Sequence, residues 1–486
     1  MAGPTAPAAN AADLRYEQYS AERRNYWDRV AESLRDGQAP RRYYRNRLSE
    51  VYRNLIPPDR TVLEIGCGLG DLLASVRPRR GVGIDLSGEM IDRARQRHPE
   101  LTFLAADAHT FDLGEKFDYI ICSDLVNDLW DVQAALNNIH RHCHGSTRVI
   151  VNLYSRVWEL PRRVAEATGA ARRLLAQSWL TADDMANLLY LADFDLIRTS
   201  PEIIFPFHVP GLSGFLNRGV VRLWPFHLLS MTYVMVCRPR PVEGSGHDAV
   251  VSVVVPARNE EGNVPAIFDR TPQMGAGTEL IFVEGNSSDD TYSAIERELA
   301  RRPGVNARLL KQPGKGKGDA VRTGFAAASG ELFMILDADL TVAPEDLPRF
   351  YEAWRSGKAE YVNGVRLVYP METRAMRFIN LLGNRFFSIA FSWLLGQNIK
   401  DTLCGTKVLS RQDYEVIAAN RSYFGQEDPF GDFDLIFGAA RFCLKFVDIP
   451  IRYRERVYGE TNIRRWAHGW LLIRMLVKGM FKLKFI

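Results

Sequence analysis

The 486-residue sequence contains no Cys-x-x-Cys pair, although it has six cysteines. That excludes the usual zinc and disulfide frameworks and fits free thiols in a reducing cytoplasm, as does the lack of a secretory leader. No stretch reaches 18 uncharged apolar residues; the longest candidate, 386–399, lies between Arg385 and Lys400 and is too short to span a bilayer. Net charge is also scarce: 62 basic against 58 acidic side chains leave +4, too little for non-specific nucleic-acid binding. Lysine is nearly missing from the first half. Residues 1–250 contain Lys116 alone beside 29 arginines, whereas residues 251–486 contain ten lysines. With 46% apolar and 25% charged residues, the chain reads as globular, long enough for two or three domains and composed of two unlike units.

The first half alternates strands and helices. After a helical lead-in over 14–56, ended by Pro57-Pro58, apolar strands are expected in 61–73, which runs on into a glycine loop and a helix start, in 81–87 ending at Asp85, in 101–108 ending at Asp107, and over 117–125 and 148–155. This predicts a doubly wound parallel sheet with its ligand at the carboxyl ends of the strands. Gly66, Gly68 and Gly70 form a Gly-x-Gly-x-Gly loop, not the Gly-x-Gly-x-x-Gly of dinucleotide sites, which argues against a nicotinamide dehydrogenase. Glu64, inside the first strand, suits a cationic ligand. Asp85 is placed for a ribose diol, and Asp107-Ala108 for an adenine edge.

In motif form and order, residues 45–240 resemble the class I S-adenosylmethionine methyltransferases. The resemblance implies S-adenosylmethionine as cofactor, with Glu64, Gly66, Gly68 and Gly70 around its methionine part. Asp85 would meet the ribose, Asp107 and Ala108 the adenine, and Ser123-Asp124 would line the fourth loop. That loop reads SDLVNDLWD, without the Asn/Asp-Pro-Pro-Tyr of amino-group methyltransferases, which points to an oxygen or carbon acceptor. An oxygen acceptor needs a base. The candidates are Asp128, His109 and the cluster His140, His142 and His144. The last three are read as solvated surface in preference to a metal site.

Residues 241–249 are rich in Pro, Gly and charge and read as a linker. Beyond it come a buried strand with Pro256-Ala257-Arg258 and Glu260 at its end, a strand ending at Glu284, and a lysine-glycine loop with Lys315 and Lys317. A further strand delivers Asp337-Ala338-Asp339. Two carboxylates at a strand end after a basic glycine loop suit Mg²⁺ or Mn²⁺ bridging to a diphosphate.

The segments PARNEEGNV, VEGNSSDDT, GKGKGDAVRTGF and ILDADLT resemble successive motifs of the family 2 glycosyltransferases of GT-A fold, over about 250–462. The polyprenyl (dolichol) phosphate sugar synthases are closest in pattern. The resemblance implies an inverting enzyme with a nucleotide-sugar donor and a polyprenyl-phosphate or glycan acceptor. Pro256, Ala257, Arg258, Glu260, Glu284, Lys315, Lys317 and Asp337 would surround the donor, and Asp337 and Asp339 the metal. Arg366, Asp401 and Asp434 would stand on the catalytic and acceptor side, although Asp401 also reads as a helix cap. Where that family has Asp-Asp after the second strand, this chain has Glu284-Gly285; where lipid-phosphate enzymes often have Gln, it has Thr341.

From 464 to 486 there are six basic residues and no acid, with Arg474, Lys478 and Lys482 in one row. Together with 376–399 this predicts a basic amphipathic C-terminal helix (463–486) and peripheral contact with an anionic membrane surface, on its cytoplasmic side. The expectation is a two-domain α/β enzyme, a methyltransferase followed by a glycosyltransferase. The alternatives are a glycosyltransferase with a merely ligand-binding first domain, and a membrane-associated scaffold of two inactive domains.

Overall fold

A computed structural model describes residues 11–34, 42–169, 171–242, 244, 246–369, 378–423, 431, 433–454, 456, 458 and 465–486. The chain separates into two compact units, residues 1–240 with Ile486, and residues 241–485.

In the first unit, strands β1 (Thr61–Ile65), β2 (Arg80–Asp85), β3 (Thr102–Ala105), β4 (Phe117–Ser123), β5 (Cys143–Tyr154), β6 (Phe194–Glu202) and β7 (Thr232–Pro239) form one sheet. Their order is β3-β2-β1-β4-β5-β7-β6. The first five strands are parallel, as expected. β7 corrects the all-parallel expectation: it inserts antiparallel between β5 and β6, pairing Val151 with Met235 and Ser200 with Val234. An antiparallel neighbour needs no crossover helix, so the 203–231 connection is free to lie elsewhere. The core on β1, β4 and β5 is Leu63, Ile65, Ile120, Cys122, Val149 and Val151, all buried.

The lead-in is no separate element. It is two helices, Ala11–Ser33 and Arg42–Leu55, and the first contributes Val30 and Ala31 to a small core with Met90.

The second unit holds β8 (Val250–Ala257), β9 (Gly277–Glu284), β10 (Ala307–Lys311), β11 (Leu332–Ile335), β12 (Tyr361–Val365), β13 (Lys407–Ser410) and β14 (Phe446–Pro450). They are ordered β10-β9-β8-β11-β13-β12-β14, with β13 antiparallel to both neighbours. Alternate residues of β8 serve opposite cores: Val251, Val253 and Val255 on one face, Val254 on the other. Covering both faces is what makes this strand read as an unbroken apolar run.

The apolar stretch expected over 376–399 forms the helix Phe378–Leu395; residues 376 and 377 lie outside the described set. The C-terminal helix Arg465–Gly479 and the turn after it bury Leu472, Met475 and Leu483 in the same core as Phe391 and Phe437, while Trp470, Ile473 and Phe481 stay exposed. Among the described residues no helix is long and apolar enough to cross a membrane.

Candidate functional sites

In the first unit the carboxyl ends of β1, β2 and β4 open into a cavity of about 780 Å³, lined by the glycine loop, Asp85, Asp107, Ala108, Ser123 and Asp124. Gly68 and Gly70 have φ of 51° and 75°, a left-handed backbone that side chains resist. Gly70 is further pinned because a Cβ there would lie 2.5 Å from the Phe103 ring. Buried Glu64 accepts from the Leu73 amide at 2.9 Å and so ties the strand to the helix after the loop. Burial pushes its carboxyl well above the usual range.

Asp85 accepts from the Gly68 and Ser87 amides, each at 2.9 Å; burial raises its carboxyl even so. Asp107 is more fully engaged. His109 donates to it from its backbone at 2.9 Å and from Nδ1 at 2.7 Å, and the Tyr16 hydroxyl donates at 2.5 Å. Burial alone would raise Asp107, but these donors outweigh it and hold the group at about 2.

The fourth-strand loop turns at Asp124, whose φ is 53°. Its carboxylate accepts from Tyr44 at 2.8 Å, from Asn152 at 2.5 Å and from Tyr154 at 3.4 Å. Asp128 accepts from the Trp27 indole at 2.9 Å and lies 3.7 Å from Arg23, with burial raising its carboxyl.

Of the histidines considered as bases, His109 uses both ring nitrogens, Nδ1 toward Asp107 and Nε2 to accept the Asp131 amide. The 140–144 cluster is not a solvated run. His142 is buried against Phe111, donating from Nδ1 to the Asn138 carbonyl and accepting the Leu113 amide. His140 packs on Phe194, and only His144 reaches an edge, 3.4 Å from Asp118. Alternation around a helix end sends the three rings to different partners, and no group of three or more His, Cys, Asp or Glu side chains placed to hold a metal occurs among the described residues.

Sequence reasoning missed Tyr16, Tyr44 and the whole roof from the Ala11–Ser33 helix. No motif marks it; the only signal is the density of aromatic residues and arginine over 16–27.

In the second unit, Asp337 and Asp339 follow β11 and meet cations. Lys317 Nζ is 2.5 Å from Asp337, and an Arg456 guanidinium nitrogen is 2.6 Å from Asp339. Asp339 also accepts from the Thr341 amide and hydroxyl, at 3.1 and 2.8 Å, which gives Thr341 a local task. Burial raises Asp339, but Arg456 and Thr341 outweigh it and leave the carboxyl low. Gly405 lets β13's approach pass close by, since a Cβ there would collide with the Asp337 carboxylate and Lys317 Nζ.

Glu260 is buried at the end of the β8 loop, accepts from Asn263 at 2.7 Å and lies 3.5 Å from Arg456. Burial takes its carboxyl up to about 7. Glu284 stands at the end of β9, where its carboxylate accepts the Ser287 amide and braces the turn. Pro256 and Ala257 close β8, and Arg258 and Lys315 are exposed in their loops.

Arg366 and Asp401 face each other, not solvent. Nε to Oδ2 is 2.7 Å and Nη2 to Oδ1 is 2.9 Å, a bidentate pair with both side chains nearly buried. Asp401 therefore caps no helix; it accepts the Leu403 amide and clamps the β12 end. Asp434, in the first turn of the helix Phe433–Arg441, accepts from Arg421 at 2.6 Å. Arg456 and Gly405 went unassigned in the sequence.

The groups expected as ligands fit these sites. A cavity of this size, with glycine backbone on one wall and Asp85 beside it, accommodates an adenosyl ligand. Two carboxylates suffice for a Mg²⁺-type cation, which takes its remaining oxygens from substrate phosphate and water.

Comparison with known proteins agrees with this division. Residues 252–417 match the model "Glycosyl transferase family 2" and residues 62–145 the model "Methyltransferase domain". A dolichyl-phosphate hexose transferase of Haloferax volcanii is 31% identical over 47% of this chain and 92% of its own. An undecaprenyl-phosphate 4-deoxy-4-formamido-L-arabinose transferase of Edwardsiella ictaluri is 32% identical over 44% of this chain and 62% of its own. The chain spans 59–62% of the length of the first three curated relatives it matches. A solved magnesium protoporphyrin IX methyltransferase of Synechocystis is 17% identical, with a TM-score of 0.34, over 46% of this chain and 99% of its own. Through its second half, the chain belongs to glycosyl transferase family 2, and its first half carries a methyltransferase domain.

Proposed function

We propose that the chain is a bifunctional transferase. The second unit moves a sugar, with inversion, from a nucleotide-sugar donor to a polyprenyl-phosphate or glycan acceptor. The first unit methylates a related substrate with S-adenosylmethionine. The observation that carries the reading is the Asp337/Asp339 pair held by Lys317 and Arg456, in a chain 31% identical to nearly the whole of a dolichyl-phosphate hexose transferase.

In the sugar transfer, the acceptor oxygen bonds to the anomeric carbon as the bond to the diphosphate breaks, and the nucleoside diphosphate leaves. A divalent cation, when bound, supplies charge neutralisation for that leaving group. Asp337 and Asp339 are the residues that would hold it. Lys317 and Arg456, now paired with these carboxylates, are long enough to turn toward a diphosphate. A phosphate acceptor arrives already ionised and needs no strong base; a sugar hydroxyl would give its proton to Asp434.

In the first unit S-adenosylmethionine would bring an electrophilic methyl group. Asp85 would accept from the ribose hydroxyls, and the Glu64-anchored loop would take the methionine part. Ala108 would border the adenine, and Asp107 would keep Tyr16 and His109 in place around it. Of the bases considered, Asp128 combines a place in the cavity with a carboxyl raised by burial, so it is assigned the acceptor's proton.

The test is a thermal-shift screen of nucleotide sugars with and without Mn²⁺, alongside S-adenosylhomocysteine calorimetry. Metal-dependent stabilisation by a nucleotide sugar supports the transfer reading, and the absence of any such ligand refutes it. A folded protein that fails to bind S-adenosylhomocysteine at millimolar concentration sinks the methyltransferase reading.

A further inference from the structure

The connection from β6 to β7 is built unlike the rest of its unit. Residues 203–231 contain no Asp or Glu, yet they hold four phenylalanines, a tryptophan and five leucines. Most of that apolar surface is not in the core. Trp224 is 80% exposed, Phe215 67% and Phe207 66%, with Leu228 and Leu229 each about half exposed. A second strip joins it: Leu160, 71% exposed, lies on the helix Glu159–Ala167, and the turn before that helix is tied to the connection by Trp158 donating to the Leu229 carbonyl at 2.9 Å. So many large apolar side chains exposed on two linked segments are unusual on a protein that faces only water.

The same two segments form a wall of the cavity, which is lined by Trp158, Pro161 and Arg162 from one and by Pro206 and Phe207 from the other. The net charge beside them is positive. Glu159 and Glu166 are paired with Arg163 and Arg162 on their own helix, while Arg156, Arg172 and Arg173 are exposed. Acid-free backbone carrying tryptophan and phenylalanine outward, beside surplus arginine, is the chemistry of an anionic lipid interface.

We propose that residues 207–229, with 157–164, are a surface by which the methyltransferase unit docks on an anionic lipid bilayer. Resting on the methyltransferase reading, the second part of the proposal is that the methyl acceptor is an amphiphile: its apolar part stays in the bilayer while its polar head enters the cavity. The segments belong to a different unit of the chain from the basic C-terminal helix.

The experiment is backbone hydrogen exchange on the full chain, with and without vesicles of phosphatidylcholine and phosphatidylglycerol. Slowed exchange in both segments on adding vesicles supports the surface. Unchanged exchange there overturns it, even if the protein as a whole floats with the vesicles through its C-terminal helix. Slowing that follows protein concentration without lipid also overturns it, by making a second copy the occupant. The double variant Phe215→Ser, Trp224→Ser should lose at least about tenfold in vesicle protection of these segments, since two large apolar side chains no longer insert. Leu160→Ser on the other strip should act in the same direction, and S-adenosylhomocysteine affinity in each variant verifies an intact fold. Protection without any S-adenosylhomocysteine binding would keep the docking surface and overturn the acceptor assignment.

Discussion

The two candidate sites answer several of their carboxylates with different kinds of donor. In the first, Asp85 is satisfied by two backbone amides, Asp107 by a histidine and a tyrosine hydroxyl, and Asp124 by Tyr44, Tyr154 and Asn152. In the second, Asp337, Asp339, Asp401 and Asp434 each face a lysine or arginine. Neutral donors leave a site's negative charge in place, which favours a sulfonium and a hydroxyl-rich ligand. Cationic partners cancel it; under the proposed sugar transfer they would turn to the diphosphate of the donor.

The largest test of the contrast removes a cation that cannot be replaced. Arg366→Leu leaves Asp401 buried and unpaired, and chemical denaturation should show a loss of about 3–5 kcal/mol. A loss below about 1 kcal/mol would mean that water reaches the pair and that its charge is screened. Next, Asp339→Asn should lower metal-dependent sugar transfer or donor hydrolysis by about 100-fold or more, with folding intact. Wild-type activity that survives EDTA would remove the metal role from this pair.

In the first unit, Asp85→Ala should weaken S-adenosylhomocysteine binding by about 1–3 kcal/mol in calorimetry. An unchanged affinity would break the equivalence between this strand end and a ribose site.

The smallest effect is expected at Tyr16→Phe, about 1 kcal/mol of stability. Asp107 is held at about 2 against an ordinary 3.8, so its contribution is present above 3.8 and is lost as pH falls through about 2. Removing the hydroxyl should raise that carboxyl and shrink the acid-side loss. Denaturation midpoints for both proteins between pH 2 and pH 5 would show it, and superimposable profiles would mean that His109 alone holds the group.

Much of this was legible in order along the chain. Strand ends delivering Asp85, Asp107, Glu284 and Asp337 could be read because buried parallel strands are short apolar runs, and the residue after each run is the first that is free to be polar. The misreadings share a cause. His142 looked like surface because a polar residue in a polar run gives no sign of a pocket closed by Phe111, which lies far from it in the chain. Asp401 looked like a cap because its partner, Arg366, is 35 residues away and on another element.

What the sequence determined by itself is the part governed by local order: two α/β units, the glycine loops whose positive φ demands glycine, and the chemical type of each strand-end residue. Only the tertiary structure decided which side chains answer those carboxylates. Tyr16 reaches Asp107 across 91 positions and Arg456 reaches Asp339 across 117. Such pairs form because desolvated charge must find a donor within about 3 Å wherever packing supplies one, and packing, unlike strand periodicity, leaves no local mark in the chain.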